Sequence, residues 1–417
     1  MLTKYLLPAL AAIGSVTAAT DPCASEKGFL LNSQADATSL ISNCKKVTGD
    51  VILGPNAGQA IDITGPSEIT GDLTVLNNGV ITSFRSDSLQ TIGGTFTLQN
   101  LTLLTSLTMP PLTKVDTILF QSLPALGELN IGPPGITFAN VITVSDTFLK
   151  TLNGLDVSSA RTINIDNNRR LVAITTSLGN LTDVLRISAN HPDLEVSMPN
   201  LKWIANMTIA NVSTFEIPSL AVVNGSARFD FNKFTSFNAP NLTHTESGDI
   251  SFVGNADLKD ITMPALTSIG GGLLIANNTA LQSVKGFEEL KTVGGALKLR
   301  GNFTTYATPL PIVGLCAFAD FYRSIDFPAL DDVKGAFDIS STADISKSCD
   351  EFQKLSSGGQ IQGTFACTSD NELANSDTGT GTSGTTGGGD KKDAAAGLSL
   401  NTVLLGLSAV AGIAMMW

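Results

Sequence analysis

Charged and aromatic side chains are scarce in this chain. Only 15% of its 417 residues are Asp, Glu, Lys or Arg, with two histidines, two tryptophans and three tyrosines. No basic run exceeds two residues and the net charge is −12, so the footprint needed to hold a phosphate backbone is missing and nucleic acid is excluded as a partner. The two histidines, His191 and His244, lie far apart in sequence and read as surface turn residues rather than as a base and its partner. Adjacent acids occur at Asp331-Asp332 and Glu288-Glu289, where neighbouring carboxylates on a turn are simply solvated. No nucleophile-elbow, zinc-protease, Walker or dinucleotide motif is present, and Cys and His lack metal-ligand spacing. The expectation is a protein with no catalytic residue, no metal and no cofactor.

Long apolar runs are confined to the two ends. Lys4, the stretch Tyr5 to Val16 and the small pair Ala18-Ala19 have the layout of a cleaved signal peptide, too short for a membrane span, which sets residues 1–19 apart. At the other end, small residues Gly387, Gly388 and Gly389 precede a polar Asp390-Lys391-Lys392-Asp393 spacer and an apolar tail from Leu398 to Trp417. That order specifies attachment of a GPI lipid at one of those glycines and removal of residues 390–417, which places the chain on the outer leaflet of a plasma membrane. Residues 368–389, rich in Ser, Thr and Gly, read as a flexible stalk. Eight Asn-x-Ser/Thr sequons begin at Asn100, Asn180, Asn206, Asn211, Asn224, Asn241, Asn277 and Asn302, the pattern of a glycosylated secretory protein. Five cysteines in such a chain imply disulfides with one thiol left over. Cys23 and Cys44 at the start and Cys349 and Cys367 at the end suggest one bridge at each edge, and Cys316 reads as a buried thiol.

Between residues 20 and 367 the sequence repeats. Short strands with alternating apolar residues begin at Val51, Leu73, Phe96, Ile118, Ile142, Ile163, Leu185, Met207, Phe229, Ile250, Leu273 and Leu297, in steps of 21 to 24 residues. The next strand, Phe337, lies 40 residues on, which implies lost register or two short coils. Asn or Ser follows many strands, as at Asn77, Asn100, Asn167, Asn211, Asn255, Asn277 and Ser341, where it can form an internal ladder from corner to corner. Gly-Gly pairs such as Gly270-Gly271 and Gly294-Gly295 precede strands, and Pro opens other corners, as at Pro110, Pro218 and Pro264. One repeat holds too few apolar residues for a core of its own, so coils must stack. Period-2 alternation favours β over helix. The expected fold is therefore all-β: a right-handed parallel β solenoid of about 12–14 coils of ~22 residues, capped at both ends by disulfides. Residues 37–41 suit a short capping helix.

Cys23, Cys44, the run Val47 to Val51, repeats of the form Ile-Gly-Gly-x-Leu-x-Ile-x-x-Asn, and Ser348 to Phe352 before Gly363 to Cys367 together resemble the receptor L-domain-like, leucine-rich-repeat-like proteins of fungal walls. The chain is similar in particular to the fungal GPI-anchored cell-wall organisation family related to sporulation-specific wall proteins. The resemblance implies a non-catalytic glycoprotein needed for wall integrity, on the plasma membrane or in the wall. Cell-wall polysaccharide and wall or surface proteins are its implied partners. A glycan- or protein-binding adhesin is the rival reading, weakened by the few aromatic rings available for stacking on sugars. A β-helix polysaccharide-cleaving enzyme is a third.

Overall fold

Alternating apolar and polar residues send every second side chain to one face of a strand, so a short alternating run can bury one row only against a neighbour that does the same. The computed structural model describes residues 21–304, 306–307, 321–322 and 324–376. Cys316, the glycines 387–389 and both apolar ends lie outside the described residues. Within them the repeats wind into a parallel β-solenoid whose principal sheet has 22 strands. The apolar strand starts are register partners from coil to coil: Val51 with Leu73, Leu73 with Phe96, Phe96 with Ile118, and so on to Leu185 with Met207. Their side chains form one continuous buried core.

Two readings need correction. Met207 pairs with Ala227, not Phe229, a step of 20 residues followed by one of 23 to Ile250. Register is not lost after Leu297, which pairs directly with Phe337. The described residues of the 40-residue step between them include an antiparallel pair, Tyr306–Ala307 with Phe321–Tyr322. At its two ends the ladder is completed by Phe29–Leu31, which pairs with Val51–Leu53, and by Phe365–Thr368, which pairs with the strand Phe337–Ser341.

The Gly-Gly corners are required by close stacking. A Cβ on Gly248 would stand 2.1 Å from the carbonyl carbon of Gly225 one coil below, and one on Gly270 would stand 2.0 Å from the carbonyl oxygen of Glu246. No side chain fits there.

Both ends are closed as a stack of coils demands. Cys23–Cys44 and Cys349–Cys367 are disulfide-bonded. Inside the first loop, Ser33 caps a helical turn at Gln34–Asp36 that continues as a π-helical turn over Ala37–Ile41, burying Ala37 and Ile41 over the core. At the far end the helix Ser346–Ser357 lays Phe352 on the last core ring, 4.8 Å from Phe337 between centroids. Its first turn is held by Asp344, whose carboxylate accepts from the Ser346 hydroxyl and, at 2.9 Å, from the Ser346 N–H. Those bonds hold the Asp344 carboxyl below its ordinary range.

A second face of each coil carries short parallel strands, and here the sheet is interrupted. One group joins Ala60–Asp62, Ser83–Arg85, Ser106–Thr108 and Leu129–Asn130; another joins Ala173–Thr175, Glu195–Ser197 and Thr214–Glu216; a third joins Ser236–Asn238 and Asp260–Thr262.

Candidate functional site

Two asparagine columns occupy the corner after the principal strand. Asn77, Asn100, Asn167, Asn211 and Asn277 adopt left-handed backbone with φ between 53 and 60°, which asparagine tolerates better than most residues. The internal ladder is one residue further on: Asn78, Asn168, Asn190, Asn232, Asn255 and Asn278 are all buried. Of the residues expected to form it, only Asn255 is a rung among the asparagines. Each amide reaches back one coil. Asn232, Asn255 and Asn278 donate Nδ2 to the carbonyls of Ile209, Phe229 and Phe252 at 2.9, 2.9 and 3.0 Å. Asn255 Oδ1 accepts from the Asn232 N–H at 2.8 Å, and Asn278 Oδ1 from the Asn255 N–H at 2.8 Å. Ser341, the expected serine rung, is buried too and donates its hydroxyl to the Phe303 carbonyl at 2.7 Å.

Seven of the eight sequon asparagines lie at strand starts, bends and corners, and Asn206 lies within the strand Trp203–Ala210. Asn100, Asn180, Asn206, Asn211, Asn224 and Asn241 are exposed; Asn277 and Asn302 are half-buried. Asn302 is the most constrained. It donates Nδ2 to the Thr279 carbonyl at 3.0 Å, and its Oδ1 accepts from the Thr342 hydroxyl at 2.8 Å and from Asn375 Nδ2.

Along the outward row of the principal sheet Thr97, Leu119, Thr143, Asn164, Arg186, Thr208, Arg228 and Ser251 succeed one another, and the sequon Asn206 stands on the same face two residues before Thr208. Several charges on this face are paired. Arg228 meets Asp230, while Asp338 accepts from Arg300 at 3.0 Å with Lys298 at 3.8 Å. Asp230 is buried, and desolvation pushes its carboxyl up despite Arg228. The strands Ile250–Val253 and Leu273–Ala276 are buried on both faces, a departure from the expected alternation.

The residues weighed for catalysis do not converge. His191 sits in a turn, its Nδ1 accepting from the Asp193 N–H at 3.1 Å, whereas His244 is on a strand rather than a turn. Asp332 accepts from Gln362 at 2.7 Å, and Glu288 and Glu289 are exposed to solvent. Among the described residues no group of three His, Cys, Asp or Glu side chains is placed to hold a metal ion, and no helix is long and apolar enough to cross a membrane.

Sequence reasoning missed one concavity. Where the second face splits between Thr214–Glu216 and Ser236–Asn238, a groove of 380 Å³ opens. Both strands centre on a buried phenylalanine, Phe215 and Phe237, and both rings pack on Phe229, at 6.0 and 4.5 Å.

Disulfides at both ends belong to an oxidising compartment, and stacked coils that offer long faces are the architecture of binding and scaffold surfaces. The class is a secreted, disulfide-capped β-solenoid scaffold. A family model described as "Ecm33: GPI-anchored cell wall organization protein" matches residues 1–40. The chain is 34% identical to "Protein ecm33" of Aspergillus fumigatus over 92% of its own length and 89% of that protein's. It is also 34% identical to a "Cell surface GPI-anchored protein" of Arthroderma benhamiae, over 88% and 87% of the two chains. With "Sporulation-specific protein 2" of Saccharomyces cerevisiae it shares 32% identity over 82% and 64%. No solved structure matches. The chain belongs to the Ecm33 family of GPI-anchored cell wall organization proteins. It is a fungal cell-wall organisation glycoprotein of the outer plasma-membrane face and the wall.

Proposed function

We propose that the protein organises the wall without turnover, as a rigid glycosylated scaffold tethered through Gly387, Gly388 or Gly389, whose bare β faces contact wall polysaccharide or neighbouring wall proteins. The carrying observation is the placement of the sequons. Seven of the eight asparagines stand at strand starts, bends and corners and Asn206 alone stands within a principal strand, so glycans there would leave most of the outward face of the principal sheet uncovered. The scattered histidines and carboxylates support a non-enzymatic role.

Phospholipase release of the protein from intact cells should yield a chain whose C-terminal peptide ends at residues 387–389. Incubated with purified walls, that protein should sediment with them and release no soluble sugar. Sugar release abolished by a single carboxylate substitution would make it an enzyme, and a peptide ending at Trp417 would remove the anchor.

Glycan occupancy should follow exposure. Glycopeptide mass mapping of the mature protein is expected to find the six exposed sequons modified and Asn302 bare, because Thr279, Thr342 and Asn375 enclose its amide. A fully occupied Asn302 would contradict the packing of that corner.

A further inference from the structure

We infer that the groove between Thr214–Glu216 and Ser236–Asn238 is a binding site for a short stretch of neutral saccharide. This rests on the wall-contact reading above and gives it a place. Three observations carry it: what the groove exposes, how long it is, and what charge it lacks.

The exposed groups come from the broken sheet. In a parallel ladder successive residues turn their N–H and C=O to opposite sides. Thr214 donates its N–H to Leu194, and Glu216 accepts from Met198, so both face the preceding coil and the peptide groups of Phe215 face the split. On the opposite wall, Ala239 donates to Thr262 and Lys259 donates to Thr235, both turned toward the following coil. Ser236 and Asn238, one residue out of phase with them, therefore face the split. Every other strand of these two groups has a partner on the corresponding side. Thr214, Thr235 and Ser236 line the same rim beside Ser213, whose hydroxyl is donated to the Leu194 carbonyl at 2.8 Å, while Phe215 and Phe234 are at its apolar floor. Hydroxyl-rich walls over an apolar floor match a pyranose ring, which has C–H faces and an equatorial belt of donors and acceptors.

Length decides between a sugar and a peptide. Each wall is a three-residue strand, about 10 Å at ~3.3 Å per residue. One end is closed by the bond from the Lys233 N–H to the Val212 carbonyl at 2.8 Å. At the other, Asn241 Nδ2 bonds the Pro218 carbonyl at 2.7 Å beside Pro240. A polypeptide gains affinity by running along a strand edge for many residues, which these closures prevent. One or two sugar rings need no more room, and 380 Å³ lies within the roughly 300–1,000 Å³ usual for ligand sites.

Charge excludes anionic ligands. Glu216 is the one ionisable residue lining the groove, and no cation accompanies it. Two sources of neutral saccharide are at hand: the wall, and the chain's own N-glycans, since sequons Asn211 and Asn241 flank the groove.

The test uses the phospholipase-released protein, with and without enzymatic removal of N-glycans, titrated with β-glucan, manno- and chito-hexasaccharides by calorimetry and saturation-transfer NMR. At least one should bind saturably. Ser236→Phe, which fills the groove from an exposed position, should weaken that binding about tenfold or more; Glu195→Phe, on the exposed side of a strand paired on both edges, should leave it unchanged. Binding by the native form identifies wall saccharide as the occupant, and binding only after glycan removal identifies the chain's own glycan. Both outcomes uphold the site. Failure of all three sugars in both forms, or equal affinity in the two variants, overturns it. Sedimentation with whole walls separates this from the broader reading: Ser236→Phe protein that sediments normally while no sugar binds would sink the groove and leave wall contact standing.

Discussion

Replacing Asn255 with alanine should lower the free energy of unfolding by about 4 kcal/mol, although it deletes one small polar side chain. The amide of Asn255 is a rung with bonds on both sides. Nδ2 donates to the Phe229 carbonyl at 2.9 Å and to Asn278 Oδ1 at 3.0 Å, and Oδ1 accepts from the N–H and Nδ2 of Asn232 at 2.8 and 3.0 Å. Alanine leaves those partners buried, and each stranded polar group costs about 1–3 kcal/mol. Local relaxation offsets part of the total. Asn77→Ala is the comparison. Asn77 contributes left-handed backbone at φ 53°, a conformation that Ala189 already adopts in another coil at φ 54°, so its loss should be about 1 kcal/mol. Urea unfolding read by circular dichroism, with hydrogen exchange at the Asn232 amide as a local probe, measures both. Exchange matters because stacked repeats need not melt as one unit. Equal losses in the two variants would show that the buried column is not what holds neighbouring corners together.

The double variant Cys349→Ser, Cys367→Ser should lose about 3 kcal/mol, as expected for opening a loop of this size. The loss should be concentrated at one end. Phe365–Thr368 is the last strand of the principal ladder described and pairs only with the strand Phe337–Ser341. The loop also carries Ser346–Ser357, whose Phe352 covers the terminal core ring. Limited proteolysis with mass spectrometry should therefore cut within residues 346–368 of the variant while the coil at Leu297 stays intact. Cutting spread evenly along the chain, or a pattern identical to the native one, would show that the bridge does not secure the cap.

Much of this architecture was legible because the inward residues of each coil must meet those of the next. Spacing of Val51, Leu73, Phe96 and Ile118 thus reports registry directly. The error at Phe229 has the same origin. Ala227 and Phe229 both point inward, and a slip of two residues along a strand preserves the buried face. Adjacent asparagines misled in a different way, since Asn77-Asn78, Asn167-Asn168 and Asn277-Asn278 each present two candidates for two jobs. The distinguishing signal was the distance to the next apolar anchor. The rung stands three residues before Ile81, Leu171, Leu258 and Leu281, and Asn78 Oδ1 accepts from the Ile81 N–H at 2.9 Å. The disulfide pairs were readable from position alone. The groove was not, because it lies where pairing is missing between two successive coils, which no period within one coil encodes.

The order of the final pairing fixes how the molecule bears load. The segment after Thr368 turns back onto the last coils, where Asn371 donates its N–H to the Ser341 carbonyl at 2.8 Å and its Nδ2 to Ser340 Oγ at 2.8 Å. Tension entering from residues beyond 376 therefore meets these bonds before it reaches the Phe365–Thr368 ladder. Once they yield, pulling would unzip that ladder rung by rung, the weak direction for a β-sheet, but Cys349–Cys367 ties its middle covalently to the capping helix. The bridge passes load from that strand to the helix Ser346–Ser357, so a chain tethered at this end is reinforced where the tether pulls.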